Sequence, residues 1–77
     1  MELTLDQLLP DMQAVVIRLE LGEELRLRLR DFGLVPGATV CCRCRGPRGG
    51  LLALELRGTI LALRRRDLQC IRGRRVS

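Results

Sequence analysis

Three cysteines stand close together in this sequence and are the side chains with the most obvious chemistry. Cys41, Cys42 and Cys44 lie within four positions, and thiolates bind zinc and other soft metals. On a β-strand, however, Cys42 and Cys44 share one face while Cys41 points to the other. Structural zinc also usually takes cysteine pairs spaced CxxC or wider. We therefore predict no metal site within one chain, and we expect Cys42 and Cys44 to be small core residues.

Cys41 is the thiol that we expect to be reactive. Arg43 and Arg45 share its predicted outward face, and nearby positive charge favours the thiolate. Cys41 is therefore the candidate for oxidation, or for a metal ion held between two chains, and a weak homo-oligomer stays open. Cys70 is predicted to be half-buried. The opening segment lacks the features of a secretory signal, which argues against disulfides.

Residues that are absent limit the reactions available to the chain. There is no histidine, and all 14 basic residues are arginine. Without histidine a Ser-His-Asp triad, a Cys-His pair, an HExxH zinc site and a C2H2 finger are impossible. Without lysine a Walker A loop and a Schiff base are excluded as well. Few catalytic designs remain.

The arginines give a net charge of +5 and gather towards the end of the chain. Runs such as residues 64–66 are usually solvated faces, and an all-arginine chain can also reflect biased genomic composition. Nucleic-acid binding needs stacking aromatics or a recognition helix as well as charge, and the one aromatic residue, Phe32, is assigned to the core. We expect no nucleic-acid site here and favour an acidic protein surface as the target of this charge.

The leucine–arginine alternation at residues 25–30 decides the fold. Strict alternation is typical of a half-buried strand. A helix over residues 23–32 would instead place the following residues on one apolar stripe: Leu21, Leu25, Leu29 and Phe32. Gly33 followed by Leu34 fits the Schellman ending of such a helix, which a strand does not explain. We therefore predict the helix, and its phase leaves Leu27 facing outward among arginines.

The other elements are short. A capping box over residues 4–7 predicts an N-terminal helix at about residues 5–8. Strands are predicted over residues 13–21, 39–45, 51–56, 59–64 and 71–74, with a type II turn at 35–38 and one helical turn at 65–70. In the first strand, either the even positions (Ala14, Val16) or the odd positions (Val15, Ile17, Leu19) could face the core. A bend in the strand would bury one set in its first part and the other set after the bend.

Together these elements predict a mainly β fold in one domain, residues 1–77. The economical architecture is a small, strongly bent barrel of about five strands, with a helix inserted after the first strand and a short N-terminal helix. No apolar run approaches the roughly 20 residues of a membrane-spanning helix. We therefore expect a cytoplasmic protein with no membrane insertion.

Two segments carry a family resemblance. Residues 25–37, LRLRLRDFGLVPG, resemble the RL-DLGL-PG signature of the FeoA family, the small ferrous iron transport protein A. Residues 58–64, GTILALR, followed by Leu68 and Ile71, resemble the family's closing segment. The match covers about residues 5–71.

The resemblance implies an SH3-like barrel with no enzymatic activity and no defined cofactor. It also implies a cytosolic accessory of FeoB, a membrane ferrous iron transporter with a cytoplasmic GTPase domain. The same domain occurs at the C-terminus of iron-dependent repressors of the diphtheria toxin repressor type. A regulatory, metal-sensing or nucleic-acid-binding domain is therefore the alternative.

The docking surface that we expect is the outer face of the predicted helix, with the turn that follows it. Arg26, Leu27 and Arg30 lie on that face, and Pro36 and Gly37 form the turn. Leu27 would be an apolar spot and the arginines its charged rim. An ordinary exposed leucine is the simpler interpretation of Leu27.

Overall fold

A computed structural model describes all 77 residues and shows six strands and two α-helices. The strands are β1 (Glu2–Thr4), β2 (Gln13–Leu19), β3 (Thr39–Arg45), β4 (Leu51–Leu56), β5 (Thr59–Arg64) and β6 (Ile71–Arg75). The helices are α1 (Glu23–Asp31) and α2 (Arg65–Leu68), and single 3-10 turns cover Leu5–Gln7 and Pro47–Gly49.

The mainly β class is confirmed, but the predicted number of strands is wrong. The sequence suggested about five strands with the helix after the first, whereas α1 follows the second of six. The missed strand, β1, has only three residues and exists because it pairs with β6, with Glu2 opposite Arg74 and Thr4 opposite Arg72. Such a short strand has no periodicity of its own, so only its distant partner reveals it.

All six strands form one antiparallel sheet in the order β1-β6-β2-β3-β4-β5. The register shifts between Val16 and Arg18 where β2 meets β6, and between Cys42 and Cys44 where β3 meets β4. At each shift one strand carries an extra residue, which bends it and increases its twist. The sheet thereby curls around a single apolar core.

The shift in β2 answers which of its faces is buried. Ala14 and Val16 are buried before the shift, and Leu19 is buried after it. Even-numbered residues therefore face the core before the shift and an odd-numbered residue faces it afterwards, which confirms the predicted bend.

The shift in β3 makes one prediction about the cysteines wrong. Cys42 is fully buried, as expected, but Cys44 is exposed. Because Arg43 is the extra residue at the shift, Cys44 no longer shares the inner face with Cys42. The next residue, Arg45, lies opposite the buried Leu52 instead of pointing outward.

Helix α1 confirms the choice made for the leucine–arginine alternation. The N–H of Leu34 donates to the Leu29 carbonyl at 3.0 Å, and the N–H of Gly33 donates to the Arg30 carbonyl at 2.9 Å. With Gly33 at φ +90°, this is a Schellman ending. The assignment of Phe32 to the core is wrong, since its side chain is 53% exposed. The chain reverses at Gly33, and the next residue, Leu34, is buried in the core instead.

The short N-terminal helix predicted at about residues 5–8 is present as a 3-10 turn over Leu5–Gln7. The N–H of Thr4 donates to Gln7 Oε1 at 3.0 Å, and the Thr4 hydroxyl donates to the carboxylate of Asp6. The bond from Thr4 to Gln7 belongs to the predicted capping box, which is present and closes this single turn.

Candidate functional site

A groove of about 380 Å³ opens between the end of β2, helix α1 and the connection from α1 to β3. Its lining residues are Arg18, Leu19, Arg26, Leu27, Arg30, Leu34, Val35 and Pro36. Four of the five residues predicted from sequence to form a docking surface therefore line one groove: Arg26, Leu27, Arg30 and Pro36. The fifth, Gly37, follows Pro36 directly in the chain. Sequence reasoning missed the contributions of β2 and of the residues between Gly33 and Pro36.

Helix α1 sets the outer wall of the groove. Arg30 stands four positions after Arg26 and three after Leu27, so it lies beside both of them, and all three line the groove. Leu29, two positions after Leu27, points almost directly away from Leu27 and is buried in the core. Leu27 is 39% exposed, which fits an apolar side chain at the edge of an open groove.

The floor of the groove is fixed by the core beneath it. Leu34 and Leu19, which lie on two different elements, are 1% and 9% exposed. The Schellman ending of α1 places Leu34 there, and the bend in β2 turns Leu19 inward. The floor is therefore apolar and belongs to the hydrophobic core.

The turn at residues 35–38 holds one end of the groove in place. The N–H of Ala38 donates to the Val35 carbonyl at 3.0 Å, and Gly37 has φ +92°, as a type II turn requires. The turn is tied to β2 by two further bonds, from the N–H of Gly37 to the Val16 carbonyl and from the N–H of Val16 to the Ala38 carbonyl, both 2.8 Å. Pro36 therefore stands on a rigid support.

Positive charge surrounds the apolar floor. Arg18 forms an exposed ion pair with Glu20, with 3.6 Å between Nε and Oε2. Neither Arg26 nor Arg30 has a carboxylate within 4.0 Å. The rim thus carries two uncompensated guanidinium groups, which suit a partner segment with an apolar side chain and acidic neighbours.

The four thiols do not converge. Cys41 and Cys70 are half-buried, Cys42 is buried and Cys44 is exposed. No group of three or more cysteine, aspartate and glutamate side chains is arranged to hold a metal ion. The structure thus offers no ready-made metal centre within one chain.

The positive charge that we expected beside Cys41 is largely compensated. Arg43 pairs with Glu55, and its Nη1 lies 3.7 Å from Asp11 Oδ1. The hydrogen bond and the charge of Glu55 raise the pKa of the Arg43 guanidinium. Cys44, which the register shift at Arg43 turns outward, is the most accessible thiol of β3.

Cys42 behaves as a core residue. Burial raises the pKa of its thiol, and the charge of Arg45 only partly opposes that effect. A buried thiol that resists ionisation is a poor nucleophile and a poor metal ligand. Cys42 therefore contributes packing.

A second, more open depression is lined mostly by arginines and by no hydrophobic residue. It has a volume of about 470 Å³ and is lined by Gly50, Arg64, Arg65, Arg66 and Gln69. Arg65 Nε lies 3.8 Å from Asp6 Oδ2, so part of the charge is compensated. No aromatic side chain lies in this depression to stack on a base.

The helices of this structure are too short and too polar to cross a bilayer. The residues brought together in the groove are arginines and apolar side chains, which can bind and orient a partner.

Comparison with known proteins gives a family and a fold. A FeoA domain model matches residues 3–75. A FeoA protein from Chlorobium tepidum is 27% identical, with a TM-score of 0.92, covering 97% of this chain and 71% of that one. A Stenotrophomonas maltophilia FeoA solved with zinc and named as a prokaryotic SH3 domain protein is 30% identical, with a TM-score of 0.74, covering 96% and 99%.

The fold extends to regulators. A manganese-dependent transcriptional repressor is 14% identical with a TM-score of 0.81, and the likeness covers 97% of this chain but 42% of the repressor. At that identity the likeness concerns the fold alone. A comparison with curated protein sequences gave no significant match.

Proposed function

We propose, from the premise that this chain belongs to the FeoA domain family, that it is a non-catalytic cytosolic accessory of ferrous iron uptake. The FeoA family is involved in ferrous iron transport, and two relatives of similar fold are named FeoA. The partner in this proposal is the cytoplasmic part of a FeoB-type transporter. The proposed role is binding, because the chain offers a groove and no catalytic constellation.

The observation that carries this proposal is the groove along α1. Its floor is apolar, Leu27 is partly exposed at its edge, and Arg26 and Arg30 have no acidic partner in the chain. An apolar anchor that enters a preformed groove contributes most of the affinity of such contacts, while rim charges speed and orient the encounter. The transporter segment that fits is therefore one with an apolar anchor and acidic flanks.

The test is a substitution that replaces an apolar side chain at the edge of the groove with a negative charge and leaves the core residues unchanged. Leu27→Glu should leave the melting temperature nearly unchanged, because Leu27 is partly exposed, yet abolish binding to the cytoplasmic region of the transporter in titration calorimetry. Phe32→Glu is the matched control, since Phe32 is also exposed at the end of α1 but does not line the groove. Equal binding by wild type and Leu27→Glu would remove the groove from the proposal.

A metal ion shared between two chains through Cys41 remains a separate proposal. It needs ligands from both chains, since the thiols of one chain do not converge. Stoichiometric zinc or iron binding by the reduced protein, lost in Cys41→Ser, would support it. Protein that takes up no metal after chelation and readdition would contradict it.

A further inference from the structure

Three consecutive arginines line a single depression at the junction of β5 and α2. We call it the arginine depression, and its lining residues are Gly50, Arg64, Arg65, Arg66 and Gln69. Arg64 is the last residue of β5, whereas Arg65 and Arg66 are the first two residues of α2. Consecutive side chains on one strand would point alternately to its two faces. The change from strand to helix at residue 65 therefore allows all three arginines to line the same depression.

Backbone hydrogen bonds hold the segments of the arginine depression together. The N–H of Arg65 donates to the Gly50 carbonyl at 3.0 Å, which joins the start of α2 to the residue before β4. The N–H of Gln69 donates to the Arg65 carbonyl, also at 3.0 Å. Arg64 is paired with Leu51 in the ladder between β4 and β5. The backbone beneath the arginines is therefore fixed by the sheet and by α2.

The positive charge of the depression is largely uncompensated. Neither Arg64 nor Arg66 has a carboxylate within 4.0 Å, and Arg65 has a single ion pair, with 3.8 Å between its Nε and Asp6 Oδ2. No acidic residue lines the depression. Like charges that are held close together repel one another, and a bound anion relieves that repulsion. The depression therefore favours a ligand with more than one negative charge.

The lining also indicates what kind of anion fits. It contains no hydrophobic side chain, whereas a protein interface has an apolar centre and binding of nucleic-acid bases uses stacking aromatics. An acidic protein surface, the target suggested by the sequence, would find no apolar contact here. Guanidinium groups present paired N–H donors that match the oxygens of a phosphate, and the Gln69 amide can donate to a further oxygen. The side chains of the depression are thus suited to phosphate.

Gly50 leaves the depression open. Its φ of −76° is one that any residue adopts, so the backbone does not require glycine at this position. A Cβ atom added to Gly50 would meet no atom within 4 Å. The missing side chain therefore leaves space for a ligand, and a larger residue can be introduced at Gly50 as a test.

We propose that the arginine depression binds a phosphate-bearing anion, with Arg64 and Arg66 as its main ligands. Arg65 and Gln69 supply further donors beside them. A soluble chain of phosphates and the headgroup of an anionic phospholipid offer the same chemistry. A volume of about 470 Å³ exceeds that of one phosphate group, so linked phosphates should bind more tightly than inorganic phosphate. The site shares no residue with the groove and does not depend on the proposed function.

Titration calorimetry of the chain with tripolyphosphate, in a dilute chloride buffer, tests the proposal. Tripolyphosphate should bind at one site per chain. Arg64→Gln combined with Arg66→Gln should weaken binding by at least about 10-fold, because two charge-assisted contacts are lost. The matched control combines Arg28→Gln with Arg74→Gln, which removes the same charge at two exposed arginines outside the depression. It should weaken binding by less than about 3-fold, since distant exposed charges are screened.

Gly50→Glu is a second test that leaves every arginine in place. It puts a carboxylate at the lining of the depression, where it competes with the ligand, so the variant should keep the far-ultraviolet spectrum of the wild type and lose tripolyphosphate binding. Gly22→Glu is its control, because a Cβ added to Gly22 also meets no atom within 4 Å and Gly22 lies outside the depression. Gly22→Glu should bind like the wild type.

Vesicles distinguish the two sources of phosphate. Sedimentation with phosphatidylglycerol vesicles but not with neutral phosphatidylcholine vesicles, lost in the Arg64 and Arg66 double variant, would assign a lipid headgroup. Binding of tripolyphosphate without binding of vesicles would assign a soluble phosphate, and either result supports the proposal. A wild type that binds neither overturns it, as does an equal loss in the two double variants. Equally tight binding of an oligoglutamate peptide also overturns it, because the depression would then be a site for acidic protein.

Discussion

Arg45 Nη1 donates a hydrogen bond to the carbonyl oxygen of Leu8 at 2.7 Å, linking the end of β3 to a residue far earlier in the chain. The same nitrogen donates to the carbonyl oxygen of Asp6 at 2.9 Å. Those carbonyls belong to the end of the N-terminal 3-10 turn, where backbone acceptors lack partners within the turn. Arg45 therefore fastens the N-terminal segment to the sheet.

Removing this contact should cost stability. Arg45→Met keeps most of the side-chain length but removes every donor, leaving two carbonyls without their partner, which typically costs about 1–3 kcal/mol. We expect urea unfolding to show that loss. Arg74→Met is the control, because Arg74 is exposed and forms no side-chain bond, and it should change stability by less than about 0.5 kcal/mol. Equal effects of the two substitutions would contradict the role of Arg45.

Local chemistry made much of the fold predictable. The bounds predicted for β3, β4 and β5 agree with the structure, since turn residues and apolar runs mark their ends. Helix α1 was predictable despite its alternating sequence because Gly33 and Leu34 specify a Schellman ending. These features depend on residues that are neighbours in sequence.

The errors in β1 and β3 arose where a distant strand decides the outcome. Nothing in the sequence marks Arg43 as the extra residue of a bulge, so the outward Cys44 and the inward Arg45 could not be foreseen. β1 is likewise defined by β6 alone. The groove was half predictable: the face of α1 follows from helical spacing, but the contribution of Arg18 and Leu19 depends on how β2 bends.

The buried Cys42 thiol should make stability fall at alkaline pH. Its pKa is raised in the folded state, so folding favours the protonated form, and this stabilisation is complete below the ordinary thiol pKa. Above about pH 8.5 the unfolded chain loses this proton first, and the free energy of unfolding should then drop by up to about 1.4 kcal/mol per pH unit. The sequence contains no lysine, tyrosine or histidine that would add to the slope in this range.

The measurement is urea unfolding between pH 7 and pH 10 in the presence of reductant. Cys42→Ala should lower stability at every pH because it leaves a cavity, but its alkaline slope should be flatter than that of the wild type. Cys44→Ala, which removes an exposed thiol, should keep the wild-type slope. An unchanged slope in Cys42→Ala would show that another group is responsible.

The rim arginines of the groove should control the speed of docking more than its final strength. Arg26 and Arg30 are exposed and unpaired, so replacing both with glutamine should slow association with the transporter by about 10-fold at low salt. The difference should shrink as salt is added, because exposed charges are screened beyond about 10 Å at 0.1 M salt. Dissociation, which depends on the apolar floor under Leu27, should change little.

Stopped-flow or surface-binding kinetics across a salt series measure both rates. Arg28→Gln is the matched control, since Arg28 is an exposed residue of the same helix that does not line the groove. Its association rate should fall only by the small amount that any lost positive charge causes. If Arg28→Gln slowed docking as much as a single change at Arg26, the net charge of the chain rather than the groove would be steering the partner. If none of the substitutions at these three arginines changed the association rate, the partner would bind to another face of the protein.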